Sequence, residues 1–220
     1  EVIYARQEGG PNSLEAYLLH YPPDLSQSLQ WAIQFCHGME YANSKGIRAH
    51  RDIKPANIMI DQDKTIKISD FGLAGFMGSA DSIPVTAMNP PKKRRGGFSF
   101  QTVGGTGFGT PPYMSPEQFI NASECDVRSD IYSFGVVLYQ MASKGELPFN
   151  VQVSEKDTNE DPLRFWSQYL KLHREASVPP LVSPLFPVIQ KCLQKKPRKR
   201  YQAFHELRQE LEIIYQQMGG

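Results

Sequence analysis

Only three cysteines occur in the 220 residues, Cys36, Cys125 and Cys192, and they lie far apart with no C-x-x-C pair. A disulfide-stapled framework is therefore excluded, and an intracellular origin is expected. Charge of one sign is not in excess: 24 Lys and Arg stand against 23 Asp and Glu. That balance removes the sequence-wide electrostatic case for nucleic acid or an anionic membrane as partner. The longest apolar-rich run, residues 131–142, is too short to cross a bilayer and contains Ser133, Gly135 and Gln140, so no membrane span is expected. The five histidines, His20, His37, His50, His173 and His205, are scattered, and none pairs with a cysteine at zinc-ligand spacing. The first residues, Glu1-Val2-Ile3-Tyr4, have neither an initiating Met nor a basic-then-apolar leader, so the chain is expected to be a segment of a longer protein, cytoplasmic by default. With 40% hydrophobic and 21% charged residues, it reads as a soluble globular domain or one large piece of a domain.

Periodicity gives a mostly helical outline with short β-hairpins. Asn12 and Glu15 fit a capping box for a helix over 14–20. Ser26 can cap a longer helix in which Leu29, Ala32, Ile33, Cys36 and Met39 recur at three- and four-residue steps, ended by Gly46. Residues 57–60 and 65–69 flank the polar turn Asp61-Gln62-Asp63-Lys64 and predict a hairpin. From Gly72 to Gly109 no apolar period survives, Gly, Pro, Ser and Thr dominate, and Lys92-Lys93-Arg94-Arg95 forms a charge run; this reads as a long flexible segment. Asp126 then precedes a helix over 128–142 that is apolar nearly all round and hence buried. Asp161-Pro162 opens another helix, residues 185–193 form a third, and Phe204, Leu207, Leu211 and Ile214 stripe the last. Cys36 and Cys192 fall at apolar helical positions and are expected in the core, whereas Cys125, beside charged residues, is expected to be exposed.

Chemistry concentrates in Ala49-His50-Arg51-Asp52-Ile53-Lys54-Pro55-Ala56-Asn57 and, after the hairpin, Ser69-Asp70-Phe71-Gly72. Two carboxylates and an amide on tight loops at strand ends suit one base and a hard-cation site. His-Arg-Asp with Asn five residues after the Asp, followed by Asp-Phe-Gly, resembles the catalytic and magnesium loops of eukaryotic-type (Hanks-type) serine/threonine protein kinases. Further matches keep that family's order: Gly109-Thr110-Pro111-Pro112-Tyr113-Met114-Ser115-Pro116-Glu117 resembles the close of an activation segment, and residues 126–135 resemble the start of the central buried helix. Cys192-Leu193 with Pro197 and Arg200 resembles the motif before the last helix.

The resemblance implies a mainly α, kinase-like C-terminal lobe (α+β) over 11–220, with residues 1–10 as the last N-lobe strand and hinge. The catalytic loop would span 50–57, the activation segment 70–117 and the C-terminal helices 126–218. It implies an ATP-dependent transfer of the γ-phosphate to Ser/Thr hydroxyls of protein substrates, using ATP and Mg²⁺. Asp52 would be the base, Lys54 would neutralise the transferring phosphoryl, and Asn57 and Asp70 would hold Mg²⁺. His50 would be structural, Asp130 would accept hydrogen bonds from the catalytic-loop backbone, and Glu117 would pair with Arg200. Arg51 before Asp52 resembles kinases whose activation segment is ordered by a phosphate, placed by an upstream kinase or by autophosphorylation at Ser99, Thr102 or Thr106.

Gly104-Gly105-Thr106-Gly107-Phe108-Gly109 imitates a phosphate cradle but lacks the flanking strand, helix and Lys, so nucleotide binding is not expected there. The basic run Lys92–Arg95 reads as a solvated loop, with docking, phosphate pairing or nuclear targeting as its alternatives. Ser115 stands where Ala is more usual in the family, and Asn43 and Ala49 are further departures. The Gly-rich loop, strand Lys and partner Glu of an N-lobe are absent from these residues, so the segment alone is expected to be inactive. The alternative is a truncated or pseudokinase-like scaffold that binds partner proteins.

Overall fold

The computed structural model describes residues 12–71, 75–76, 100–101, 108–151 and 162–219. Its helices are α1 (Leu14–His20), α2 (Leu25–Ser44), α3 (Val127–Ala142), α4 (Pro162–Glu175), α5 (Phe186–Cys192) and α6 (Phe204–Gln217). Among the described residues six short strands accompany them: β1 (Ile47–Ala49), β2 (Ile58–Ile60), β3 (Ile66–Ile68), β4 (Gly75–Phe76), β5 (Phe100–Gln101) and β6 (Phe108–Gly109). They form three separate antiparallel pairs, β1 with β4, β2 with β3, and β5 with β6. The expectation of a mainly helical unit with short hairpins holds, and the β2–β3 hairpin has the register Ile58 opposite Ile68 and Ile60 opposite Ile66.

The helix starts differ from expectation in an instructive way. The cap of α1 is Ser13, whose hydroxyl accepts from the Ala16 N–H at 3.2 Å; the box read from Asn12 and Glu15 is one residue out of phase. α2 is capped by Asp24, whose carboxylate accepts from the Gln27 N–H at 2.8 Å, and Ser26 lies inside the first turn. In both cases several cap-forming residues cluster before the helix, and the apolar stripe alone does not choose among them. Gly46, just past the end of α2, has φ +90°, the left-handed conformation that glycine adopts without a Cβ penalty. Asp126 caps α3 through the Arg128 N–H at 2.9 Å, as read.

α3 is the axis of the core. Its residues from Ser129 to Met141 are all buried, with α2, α5 and β1 packed around it. Phe134 stacks on Phe35 of α2 at 3.9 Å with the rings nearly parallel, and Phe204 of α6 closes on Phe35 edge-on. Gly135 is what lets α5 approach: a Cβ there would stand 2.6 Å from the Cβ of Cys192 and 3.2 Å from the Leu193 side chain. The hairpin is pinned to α2 by two polar contacts, Trp31 Nε1–H to the Lys64 carbonyl at 2.8 Å and the Ile66 N–H to Gln34 Oε1 at 2.9 Å. Cys36 and Cys192 are buried as expected, but Cys125 is buried too, fully covered rather than exposed. Its charged neighbours in sequence point away from it: Asp126 turns to Arg128, and the thiol approaches the Asn121 carbonyl.

Several expectations lie outside the described residues: the cap at Asp161, the run Lys92–Arg95, the hinge in residues 1–10, the sites Ser99, Thr102 and Thr106, and most of the glycine-rich stretch before Phe108. Among the described residues no helix is long and apolar enough to cross a membrane.

The close approach at Gly135 gives a sharp expectation. Gly135→Ala forces α5 away from α3 and lowers the unfolding free energy by about 1–3 kcal/mol, read by urea denaturation. An unchanged or raised stability, as helix propensity alone would give, contradicts this packing.

Candidate active site

The loop from His50 to Asn57 leaves β1 and enters a 3₁₀ turn (Pro55–Asn57) that runs directly into β2. Its first two N–H groups are captured by one carboxylate. His50 N–H donates to Asp130 Oδ2 at 2.7 Å, and Arg51 N–H donates to Asp130 Oδ1 at 3.0 Å. Arg51 takes φ +69°, a strained conformation for a long side chain, and its carbonyl is held by Gln118 Nε2–H at 2.6 Å. The chain is thereby turned so that the next residue, Asp52, faces the opposite way.

His50 is fully buried and structural, as read. The Asp52 N–H approaches its Nδ1 at 3.3 Å, so the proton sits on Nε2, which then donates to the Ser69 carbonyl at 3.0 Å. The ring also packs on Phe71 at 4.5 Å. One imidazole thus joins the 50–57 loop to the 69–71 loop.

Asp52 is the centre of a polar cluster and is about one-tenth exposed. Its Oδ2 receives Lys54 Nζ at 2.7 Å and Asn57 Nδ2 at 3.1 Å, and its Oδ1 receives the Thr110 hydroxyl at 3.1 Å. Lys54 Nζ also reaches Thr110 Oγ1 at 3.0 Å. The Asn57 amide donates a second time, to the Asp52 carbonyl at 2.8 Å. With its nitrogen committed to Asp52, the side-chain oxygen of Asn57 is the atom left to meet a cation. Asp70 lies across the hairpin end from Asn57: the Ser69 N–H donates to the Asn57 carbonyl at 2.9 Å, and Asp70 follows with φ +63° and an exposed side chain.

The four residues singled out in the sequence therefore share one end of the β2–β3 hairpin and the loop before it. Asp52, Lys54 and Asn57 are in direct contact, and Asp70 is joined to them through backbone. The sequence reading missed two contributors. Thr110 was read only as part of the stretch resembling the close of an activation segment, yet it bonds Asp52 and Lys54 from 58 and 56 residues away. Gln118 was not singled out. Nothing local marks either residue, since each acts through a long-range contact.

The supports are architectural. Arg200 is buried, and all its donors are used: two on Glu117 at 2.6 and 2.9 Å and the others on the carbonyls of Gln194, Arg128 and Lys195. Burial pushes the Glu117 carboxyl up, but the Arg200 guanidinium and the Ser129 hydroxyl outweigh it and hold the group below its ordinary value. Ser115 places its hydroxyl in the core with no hydrogen-bond partner; the structure supplies no reason for a hydroxyl there. For Asp130 burial dominates and pushes the carboxyl up to about 6, against the opposing effects of His50 and the two backbone donors.

Because that value is raised, the contribution of Asp130 to stability is fully present below its ordinary 3.8 and is lost as pH rises through about 6. Only the ionised form accepts both N–H groups without competition from its own proton. The amide resonances of His50 and Arg51 should therefore titrate together with a midpoint near 6; a midpoint in the ordinary carboxylate range contradicts the assignment of burial as the dominant cause.

Comparison with known proteins agrees with this geometry. The profile of the protein kinase domain matches residues 20–211. A probable serine/threonine-protein kinase of Clostridium acetobutylicum is 34% identical over 197 residues, covering 87% of this chain and 25% of that protein. The serine/threonine-protein kinase PknB of Mycobacterium leprae is 34% identical over 198 residues, covering 88% of this chain and 27% of its own length. The yeast serine/threonine-protein kinase PKH2 is 34% identical over 166 residues, 76% of this chain and 13% of that protein. The chain spans about a quarter of the length of the first two relatives. With the domain profile covering most of its residues and relatives of 34% identity over more than two thirds of it, the chain belongs to the protein kinase family.

Proposed function

We propose that this chain is the larger, C-terminal lobe of an ATP-dependent serine/threonine protein kinase, with residues 1–10 as the end of the smaller lobe and its hinge. The observation that carries this reading is the Asp52 carboxylate held at once by Lys54, Asn57 and Thr110. A carboxylate fixed by three donors, yet still partly open to solvent, is pre-organised to orient a substrate hydroxyl and take its proton. A binding scaffold has no use for that arrangement.

The roles follow from the atoms. Asp52 Oδ1 and Oδ2 orient the Ser or Thr hydroxyl of a protein substrate in line with the γ-phosphorus. Lys54 Nζ, one salt bridge away, offsets the negative charge that spreads over the transferring oxygens. Thr110 locks Asp52 and Lys54 together from the far end of the activation segment. Asn57 and Asp70 offer one neutral and one anionic oxygen, a donor set that suits Mg²⁺, which keeps waters and takes other ligands from phosphates. When bound there with ATP, Mg²⁺ supplies charge neutralisation on the phosphate oxygens. Arg51 has its buried Nε without a hydrogen-bond partner, which supports its reading as the receiver of a phosphate on the activation segment. Phosphoryl transfer depends on positioning, so residues 1–220 without an ATP-covering lobe should transfer at a negligible rate.

In the full-length protein, Asp52→Asn should lower kcat for transfer to Ser/Thr peptides by about 10²–10⁴-fold, with the KM for ATP and the thermal midpoint unchanged. Retention of wild-type kcat rules out Asp52 as the base.

A further inference from the structure

Two peptide planes meet at Arg51, and two different parts of the fold hold them. A peptide unit is rigid, so the φ and ψ of a residue are set once the planes on either side of it are set. The plane before Arg51 ends in the Arg51 N–H, which donates to Asp130 Oδ1 of α3 at 3.0 Å. The plane after it begins with the Arg51 carbonyl, which accepts from Gln118 Nε2–H at 2.6 Å, and ends in the Asp52 N–H, which approaches His50 Nδ1 at 3.3 Å. The φ of +69° at Arg51 is thus imposed from both sides. Of the two contacts on the second plane, the one from Gln118 is much the shorter. An apolar residue at position 118 would fill the space but leave a buried carbonyl unmet.

Gln118 is itself firmly placed. It is buried, in the turn at residues 116–120, and its sequence neighbours are tied to other parts of the fold. Glu117 pairs with Arg200 at 2.6 and 2.9 Å and accepts from the Ser129 hydroxyl of α3 at 2.7 Å. Phe119 meets Trp166 of α4 edge-on at 5.1 Å. The backbone closes on itself as well: the Gln118 N–H donates to the Ser115 carbonyl at 3.0 Å, and the Ile120 N–H donates to the Glu117 carbonyl at 3.0 Å. Three successive side chains therefore reach the turn before α6, the 50–57 loop and α4. The Gln118 amide is delivered to Arg51 by a fixed frame.

We infer that Gln118 is a positioning residue for Asp52: its amide fixes the peptide plane between Arg51 and Asp52, so that the turn at 116–120 sets where the Asp52 carboxylate stands against Lys54, Asn57 and Thr110. Asp130 governs the plane before Arg51 and Gln118 the plane after it. The step from this placement to catalysis rests on the kinase reading above.

Measurements on the full-length protein separate the inference from that reading. In the wild-type protein, NMR should detect a scalar coupling across the hydrogen bond from the Gln118 side-chain nitrogen to the Arg51 carbonyl carbon; its absence where the couplings of the α3 amides are seen overturns the inference whether or not the protein is active. Gln118→Met, which keeps the length of the side chain and loses the donor, should shift the carbon resonances of the Arg51 carbonyl and the Asp52 carboxyl, and an unmoved Asp52 carboxyl overturns the inference. The same variant should lower kcat by about tenfold to a hundredfold with the KM for ATP unchanged, and wild-type kcat overturns it. Because Gln118 acts through Asp52, the double variant Gln118→Met/Asp52→Asn should be no slower than Asp52→Asn alone. A loss that came only from unfolding would multiply with the Asp52 loss, and that result overturns the inference. Absence of transfer by the wild-type protein overturns the kinase reading and leaves the NMR results to decide the placement. Should Gln118→Met fail to fold, the wild-type coupling decides.

Discussion

The carboxylate of Asp130, buried in the first turn of α3, accepts the N–H groups of both His50 and Arg51, and the polar geometry of the site follows from that pair of bonds. Neither N–H belongs to a helix or a strand ladder, so each would be an orphan donor in the core without Asp130, at a cost of about 1–3 kcal/mol apiece. Meeting both with one side chain fixes the direction of the chain at two successive residues. Arg51 is driven to a positive φ, and Asp52 is turned toward Lys54, Asn57 and Thr110. Backbone strain is stored beside Asp52 and held there by a rigid helix.

The rest of the fold keeps Asp130 where it is. α3 is buried almost throughout and wrapped by α2, α5 and β1, and Gly135 admits α5 to within van der Waals contact. Glu117 and Arg200 anchor the stretch that ends at Glu117 to the turn before α6, with Ser129 of α3 as a third partner. Breaking such a pair on one side leaves an uncompensated charge, which is why it serves alignment more than net stability. His50 completes the frame by joining the 50–57 loop to the loop that carries Asp70.

Much of this was legible in the sequence, and for identifiable reasons. α3 was readable because an apolar surface on all sides has only one place to go, and the hairpin because two β-branched runs flank a polar turn. The residues His50, Asp52, Lys54, Asn57 and Asp70 were legible because their spacing within two short loops is itself the motif. What escaped was long-range or locally ambiguous. β1 and β4 are two or three residues long, too short for a period to register. Cys125 was misjudged because its charged sequence neighbours face elsewhere, and Ser13 and Asp24 because each competes with a nearby residue of equal capping quality. Thr110 and Gln118 act only through contacts that the chain makes after folding.

The central claim is that Asp130 holds the loop from His50 to Asn57, and amide hydrogen exchange at His50 and Arg51 tests it most directly. Asp130→Asn keeps the shape but replaces one acceptor with an NH₂ donor. The account predicts that the His50 and Arg51 amides lose protection in that variant while the amides of α3 keep theirs. Wild-type protection at both loop amides would contradict it.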